Sequence, residues 1–537
     1  MKRKKYYAFL MINVITVMVL MSCSNSSAGG NSNSKTDSES TPTESGSLDI
    51  AFAADPETLD WMYTGASATR DVGWHIFETL LALDDDYEIK PMIAEDYDVS
   101  EDEKEYTIHL REGVQFHDGT TVEAEDAIAS MERWRKVSGV GKITDEYIDS
   151  IEEEDELTFT IKLNEVYSSL LSDLAAPKSS MTVMPAAIAE EADEKPLEQD
   201  QFIGTGPYKF KEWDRGEEIV LERFDDYAAR DEEDWGGLTG KKEAYFDELH
   251  FQIVKDSQVM LNGLKTDLYD YAQGIPADLY EVVESDANLD PVTYINGYSS
   301  IIPDKSEAPF DEIEVRQALN YALDKETIAK AAYGNEEFYN LDGALFDPEQ
   351  KALYTDEGTE NYLANDPEKA KELLEASNYD GEEVVIMFAN NYDEYEKIGE
   401  IAKQQLEEVG FNVKLDSYEW ATYLERWEEP ENWDMVIVGW STRFSPTELR
   451  MLSQDINSSG WYESDRWQEL LKEWAATSAD EDREEILEEM NKTVYDELPF
   501  IKVTNVSNLD VKNEHLETEN DWVSLRFWNT WKTEEDN

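Results

Sequence analysis

The chain has 537 residues, with 122 Asp or Glu against 46 Lys or Arg and a formal charge of −76. So acidic a surface excludes general nucleic-acid binding, which needs a basic face. The carboxylates run in blocks such as "EEEDE" (152–156) rather than at spaced ligand positions, which describes a solvated acidic shell suited to saline or alkaline surroundings.

In chain order, residues 1–22 read as a secretory signal. Lys2, Arg3, Lys4 and Lys5 precede an apolar stretch from Ala8 to Met21, shorter than the roughly 20 residues of a spanning helix. Leu20-Met21-Ser22-Cys23 resembles a bacterial lipobox, so Cys23 is the expected acylation site and the anchor to the extracytoplasmic face of the cell membrane. Cys23 is the chain's single cysteine, which leaves no internal disulfide. Residues 23–47 contain no large apolar side chain and are expected to be a flexible tether. The folded part begins near Leu48, and its length of about 490 residues exceeds what one core holds, so two lobes are expected.

"YTIHL" (106–110) and "LTFTIKL" (157–163) alternate as half-buried antiparallel strands do. "VRQALNYALDKETIAKAAY" (315–333) puts Val315, Ala318, Leu319, Ala322 and Leu323 on one helical face. Asp366 and Pro367 start a helix over 365–381, and Gly410 stops one over 397–411. With strands at 384–389, 411–415 and 435–438, the run is a βαβ pattern and predicts a parallel sheet. No stretch reads as an inter-lobe linker, which suits lobes joined by crossing strands.

No catalytic constellation, cofactor motif or metal-ligand spacing emerges. "GTGPY" (204–208) is followed by proline where a phosphate-loop helix must run, and "FHDG" (116–119) reads as a turn. The five histidines have no zinc spacing. Fifteen tryptophans stand out; most are expected in cores, with a minority lining a ligand cleft. "DMVIVGWSTRFSPT" (434–447) joins a buried strand to Trp440, Ser441 and Arg443, and α/β proteins hold ligands just beyond strand carboxyl ends.

"PETLD" (56–60), residues 76–134, "IGTGPYKFKEW" (203–213), "PFDEIEVRQALNYALDKETI" (309–328), "DPEKAKELLE" (366–375), "QLEEVGFNVKL" (405–415), "DMVIVGW" (434–440) and "LPFI" (498–501) follow one another. In number, order and spacing they resemble the family 5 extracellular solute-binding proteins, the oligopeptide, dipeptide and nickel type that serve ABC importers. The resemblance implies an α/β, two-lobed periplasmic-binding-protein type II fold with an extra subdomain inserted in lobe I and the ligand cleft between lobes. Lobe I would span 48–275, with the insertion at about 80–199 and a return at 500–537; lobe II would span 276–499. It implies a non-enzymatic, cofactor-free monomer that closes on a peptide or peptide-like solute and delivers it to permease subunits driven by cytoplasmic ATPases. The cleft residues it implies are Tyr63, Ser67, Trp420, Arg426, Trp440, Ser441, Arg443 and Phe444. In peptide-binding members an aspartate near the position of Arg443 pairs with the peptide's α-amino group, whereas "STRFSP" offers no carboxylate; an arginine there favours an anion. Oligosaccharides are the alternative solute, and a surface-anchored hydrolase or peptide sensor is the alternative of another class.

Overall fold

Cooperative burial of two apolar strand runs, one near residue 300 and one near 500, organises the molecule. The computed structural model describes residues 46–533, apart from Asp234, Ser453, Asp455, Ile456, residues 519–521 and Ser524. The signal segment, Cys23 and nearly all of the tether therefore lie outside the described residues.

The main sheet has eleven strands. Ten of them, in chain order, are β1 (Ser47–Phe52), β2 (Tyr208–Asp214), β3 (Glu218–Arg223), β4 (Glu248–Ile253), β5 (Tyr271–Ala272), β6 (Leu289–Pro303), β7 (Glu383–Ala389), β8 (Asn412–Tyr418), β9 (Met435–Trp440) and β10 (Ile501–Asn513). They lie in the order β8-β7-β9-β6-β10-β5-β1-β4-β3-β2, and the short strand Tyr339–Asn340 also pairs with β10. The predicted βαβ segment is present: β7 runs parallel to β8 and to β9, with the helix Asp393–Val409 between β7 and β8. Gly410 ends that helix in the left-handed conformation at φ +116, as its place in the sequence predicts.

The predicted strands at 106–110 and 157–163 pair antiparallel within a separate four-stranded sheet, in the order Ala94–Val99, Glu105–Leu110, Thr158–Leu163, Ile148–Asp155. The apolar pattern at 315–333 forms two helices rather than one, α1 (Ile313–Ala322) and α2 (Lys325–Tyr333). Asp324 divides them because its carboxylate accepts the Thr327 N–H and caps the second helix. The helix predicted over 365–381 spans Pro367–Ala376, with Asp366 accepting the Lys369 N–H as cap.

Two large cores flank the long strands. The first draws on β1, β4, the four-stranded sheet and Leu516 to Trp528; the second draws on α1, α2 and β7 to β9. The strands β6 and β10 pair antiparallel along most of their length and cross from one core region to the other. Their register shifts between Ile295 and Tyr298, where Gly297 has φ +94. A Cβ on Gly297 would lie 1.8 Å from the Trp440 carbonyl oxygen, so glycine is required for this close approach to the end of β9.

Motifs that invite a chemical reading are structural. Asp60 of "PETLD" forms a buried ion pair with Arg133 at 2.5 Å and accepts the Leu197 N–H at 3.1 Å. "GTGPY" and "FHDG" form one joint: His117 Nε2 meets Gly206 O at 3.0 Å, and Gly206 N donates to Ile76 O at 2.9 Å. A Cβ on Gly204 would sit 2.2 Å from the Ile76 carbonyl oxygen, so the glycine serves backbone packing.

Candidate functional site between the lobes

β9 is a run of apolar residues buried on both faces, and it delivers Trp440 to the edge of the second core. Trp440 Nε1 donates to Ser300 Oγ on the neighbouring strand β6 at 3.0 Å. The chain then leaves the sheet and meets the first lobe. Lys178 Nζ donates to Ser441 Oγ and to Thr442 O, both at 2.6 Å. Phe444 crosses over fully, packing in the first core and stacking on Tyr87 at a centroid distance of 6.2 Å. Gln350 Nε2 donates to Arg443 O at 2.7 Å, and the Thr442 hydroxyl donates to Asp347 at 3.4 Å, which fixes the loop from behind.

Further contacts extend the seam. Ser168 N donates to Ala475 O at 2.8 Å, Arg483 Nη2 donates to Ser168 O at 3.0 Å, and Lys351 pairs with Asp86. The lobes are therefore in contact along this seam.

Cations are buried at the seam despite the chain's acidity. Arg70 (4% exposed) and Lys178 (8% exposed) come from the first lobe, and the half-buried Arg443 comes from the second. Burial, then the neighbouring Arg443 charge, pushes the Lys178 ammonium well below its ordinary pKa, and Arg70 acts in the same direction while Glu448 opposes it. Lys178 and Arg443 make no ion pair among the described residues. They lie against aromatic faces instead: Lys178 Nζ is 5.8 Å from the Phe444 ring centre and Arg443 Cζ is 5.7 Å from that of Trp440. Arg443 Nε is buried without a hydrogen-bond partner among the described residues. Behind the loop, burial raises the Asp347 carboxyl to about 6, and burial lowers Lys502 to about 8.

Of the residues singled out in the sequence, Trp440, Ser441, Arg443 and Phe444 are brought together at this seam. Trp420 and Arg426 lie on the helix α3 (Trp420–Trp427), where Arg426 Cζ stacks 4.3 Å over Tyr418. A run of rings, Trp420–Tyr423–Trp427–Trp440, connects that helix to the seam at 5.5, 5.5 and 6.2 Å. Tyr63 (41% exposed) and Ser67 are exposed and make no side-chain hydrogen bond among the described residues. Three residues beyond Ser67, on the same helix (Ser67–Ile76), the buried Arg70 lies over the Trp74 ring at 5.4 Å and near enough to Lys178 for its charge to act on that amine. Arg70, Tyr87, Lys178 and Gln350 escaped sequence reasoning. Lys178 is 263 residues from Ser441, and no local pattern marks so distant a partner.

The model of the family described as bacterial extracellular solute-binding proteins, family 5 (middle), matches residues 88–460. The chain belongs to this family. The Sinorhizobium fredii protein y4tO, named a probable peptide ABC transporter periplasmic-binding protein, is 29% identical over 461 residues, covering 82% of this chain and 85% of its own. The oligopeptide-binding protein AppA of Bacillus subtilis is 25% identical over 550 residues, covering 96% of each chain. Among solved structures, AgaA of A. tumefaciens R10 in complex with agropinic acid is 26% identical, with a TM-score of 0.74 over 92% of this chain and 99% of that one. Family 5 members are solute-binding, non-enzymatic transport components that act outside the cytoplasm, and the fold is their two-lobed α/β architecture.

Proposed function

We propose that the protein is the lipid-anchored solute-binding subunit of an ABC importer and captures peptides or peptide-like solutes between its lobes. Lobe I comprises 48–275 with the insertion at about 80–199 and the return at 500–537, and lobe II comprises 276–499. Cys23 carries the acyl anchor, and residues 24–47 tether the folded part to the membrane while the closed form docks on its permease. Ligand contacts made by both lobes favour closure only through affinity that the open form lacks.

The observation that carries this reading is the seam itself: one loop, 440–444, supplies polar and aromatic groups that meet the first lobe directly. Membership of family 5 and the peptide-binding names of y4tO and AppA support the solute class. The tryptophans favour a peptide over a sugar, because Trp427, Trp433, Trp467 and Trp474 are buried in the second core rather than presented to a cleft.

A thermal-shift comparison of the full chain in detergent and high salt, against short peptides and matched oligosaccharides, tests it. A ligand at 100 times its dissociation constant adds about 2.7 kcal/mol, which for this size is a shift of roughly 2–3 °C. Peptides are expected to give the shift; a shift with oligosaccharides alone contradicts the reading. Cys23→Ser is expected to move the protein from the membrane fraction to the medium.

A further inference from the structure

Two buried cations in the first core of this protein have carboxylate partners, whereas Lys178 and Arg443 at the seam have none among the described residues. Lys242 pairs with Glu78 at 3.0 Å and Arg133 with Asp60 at 2.5 Å, all four side chains being almost wholly buried. Of Arg70, Lys178 and Arg443, only Arg70 has an ion pair among the described residues, through its Nε to Asp71 Oδ1 at 3.1 Å. Asp71 is further occupied by Gln273 Nε2 at 2.7 Å. Neither terminal nitrogen of Arg70 donates a hydrogen bond among the described residues, and no nitrogen of the Arg443 guanidinium does.

Two carboxylates lie near enough to matter, and both have other work. Glu448 accepts the Phe444 N–H at 3.2 Å, and Asp347 accepts the Thr442 hydroxyl at 3.4 Å. In a chain with 122 acidic residues, any carboxylate could have filled the gap. Lys178 instead has the Arg443 charge of the other lobe and the Arg70 charge of its own near enough to disfavour its protonated form. Like charges in a low-dielectric seam oppose closure, and an anion between them converts that repulsion into a bridge.

We infer, resting on the solute-binding reading above, that the recognised part of the solute is an anionic group, a carboxylate on a peptide or peptide-like acid. Arg70 and Lys178 of the first lobe and Arg443 of the second hold it. The α-amino group of the solute is then not the anchor: Glu448 and Asp347 already accept hydrogen bonds from the 442–444 loop, and Arg70 and Arg443 are cations. Planar guanidinium forks suit a carboxylate, which each can take through two parallel hydrogen bonds.

The test is calorimetric titration of the full chain in detergent, at ionic strength fixed with chloride. The probes are a hydrophobic tripeptide as its free acid, its C-terminal amide and its N-acetyl acid, with citrate and inorganic phosphate alongside. The acid and the N-acetyl acid are expected to bind alike, and the amide at least ten-fold more weakly. Arg443→Gln is expected to reduce acid affinity at least ten-fold and leave the amide unchanged, while Arg443→Lys restores part of it. Equal binding of acid and amide, or loss of binding on N-acetylation, overturns the inference and leaves peptide capture standing. If no tripeptide form binds, the peptide reading fails and the small anions decide. Saturable citrate or phosphate binding that Arg443→Gln abolishes supports an anion site for a non-peptide acid, with phosphate favoured over citrate pointing to a phosphorylated solute. Identical responses of wild type and Arg443→Gln overturn it.

Discussion

The first-lobe interior and the seam between lobes handle buried cations in opposite ways. Asp60 and Arg133 lie at 2.5 Å, and Asp60 takes a further N–H from Leu197, so the pair is nearly complete. Glu78 likewise receives Lys242 at 3.0 Å, the Tyr227 hydroxyl at 2.8 Å and the Thr205 hydroxyl at 3.1 Å. Lys178 and Arg443, by contrast, rest on aromatic rings, and among the described residues Lys178 donates only to neutral oxygens. Charges that complete one another are part of the scaffold, and breaking one leaves the other stranded. Charges left incomplete at a joint between lobes wait for a partner that arrives from outside.

Several substitutions break or sharpen that contrast. Asp60→Ala strands the Arg133 guanidinium and should destabilise the protein by about 3–5 kcal/mol in urea unfolding. Asp173 is the mirror image of the seam cations, a buried carboxylate with no ion pair among the described residues. It accepts the Tyr167 hydroxyl at 2.6 Å and the Thr144 hydroxyl at 2.7 Å, and burial raises it to about 7. Its folded pKa lies above the unfolded value of 3.8, so the stability it contributes is present at low pH and lost as pH rises from about 4 through 7. Asp173→Asn keeps both acceptor contacts and removes the charge. It should therefore be more stable than wild type at pH 8, by about 2–4 kcal/mol, and show no such gain below pH 4.

Gly297→Ala places a side chain at φ +94 against the Trp440 carbonyl. A loss of about 1–3 kcal/mol is expected from backbone strain, together with weaker solute binding. Wild-type stability with intact binding would show that the register shift in β6 is not coupled to the 440–444 loop. The smallest change in folding belongs to Arg443→Gln, whose loss should fall on affinity.

The fold was legible where short-range signals coincide. Between 384 and 438 strand runs, the Gly410 stop and short connections all point to one parallel unit, and the structure has it. The split at Asp324 was hidden because the apolar residues keep one helical period on both sides of it, while a single cap residue decides the break. At the site, Trp440 to Phe444 could be found from the strand that ends there. Arg70 and Lys178 could not, because their role arises from juxtaposition across the lobes. The sequence places one next to a buried Asp71 and the other in an unremarkable "APKSS" loop.

The most direct test of the contrast is the stability of ligand-free Arg443→Gln in urea, measured beside wild type at fixed ionic strength. If Arg443 is an unmatched charge held for an incoming anion, the variant should unfold within about 1 kcal/mol of wild type or above it, since only a cation–π contact is lost. A loss of about 3 kcal/mol or more, on the scale expected for Asp60→Ala, would make Arg443 part of the scaffold and contradict the account.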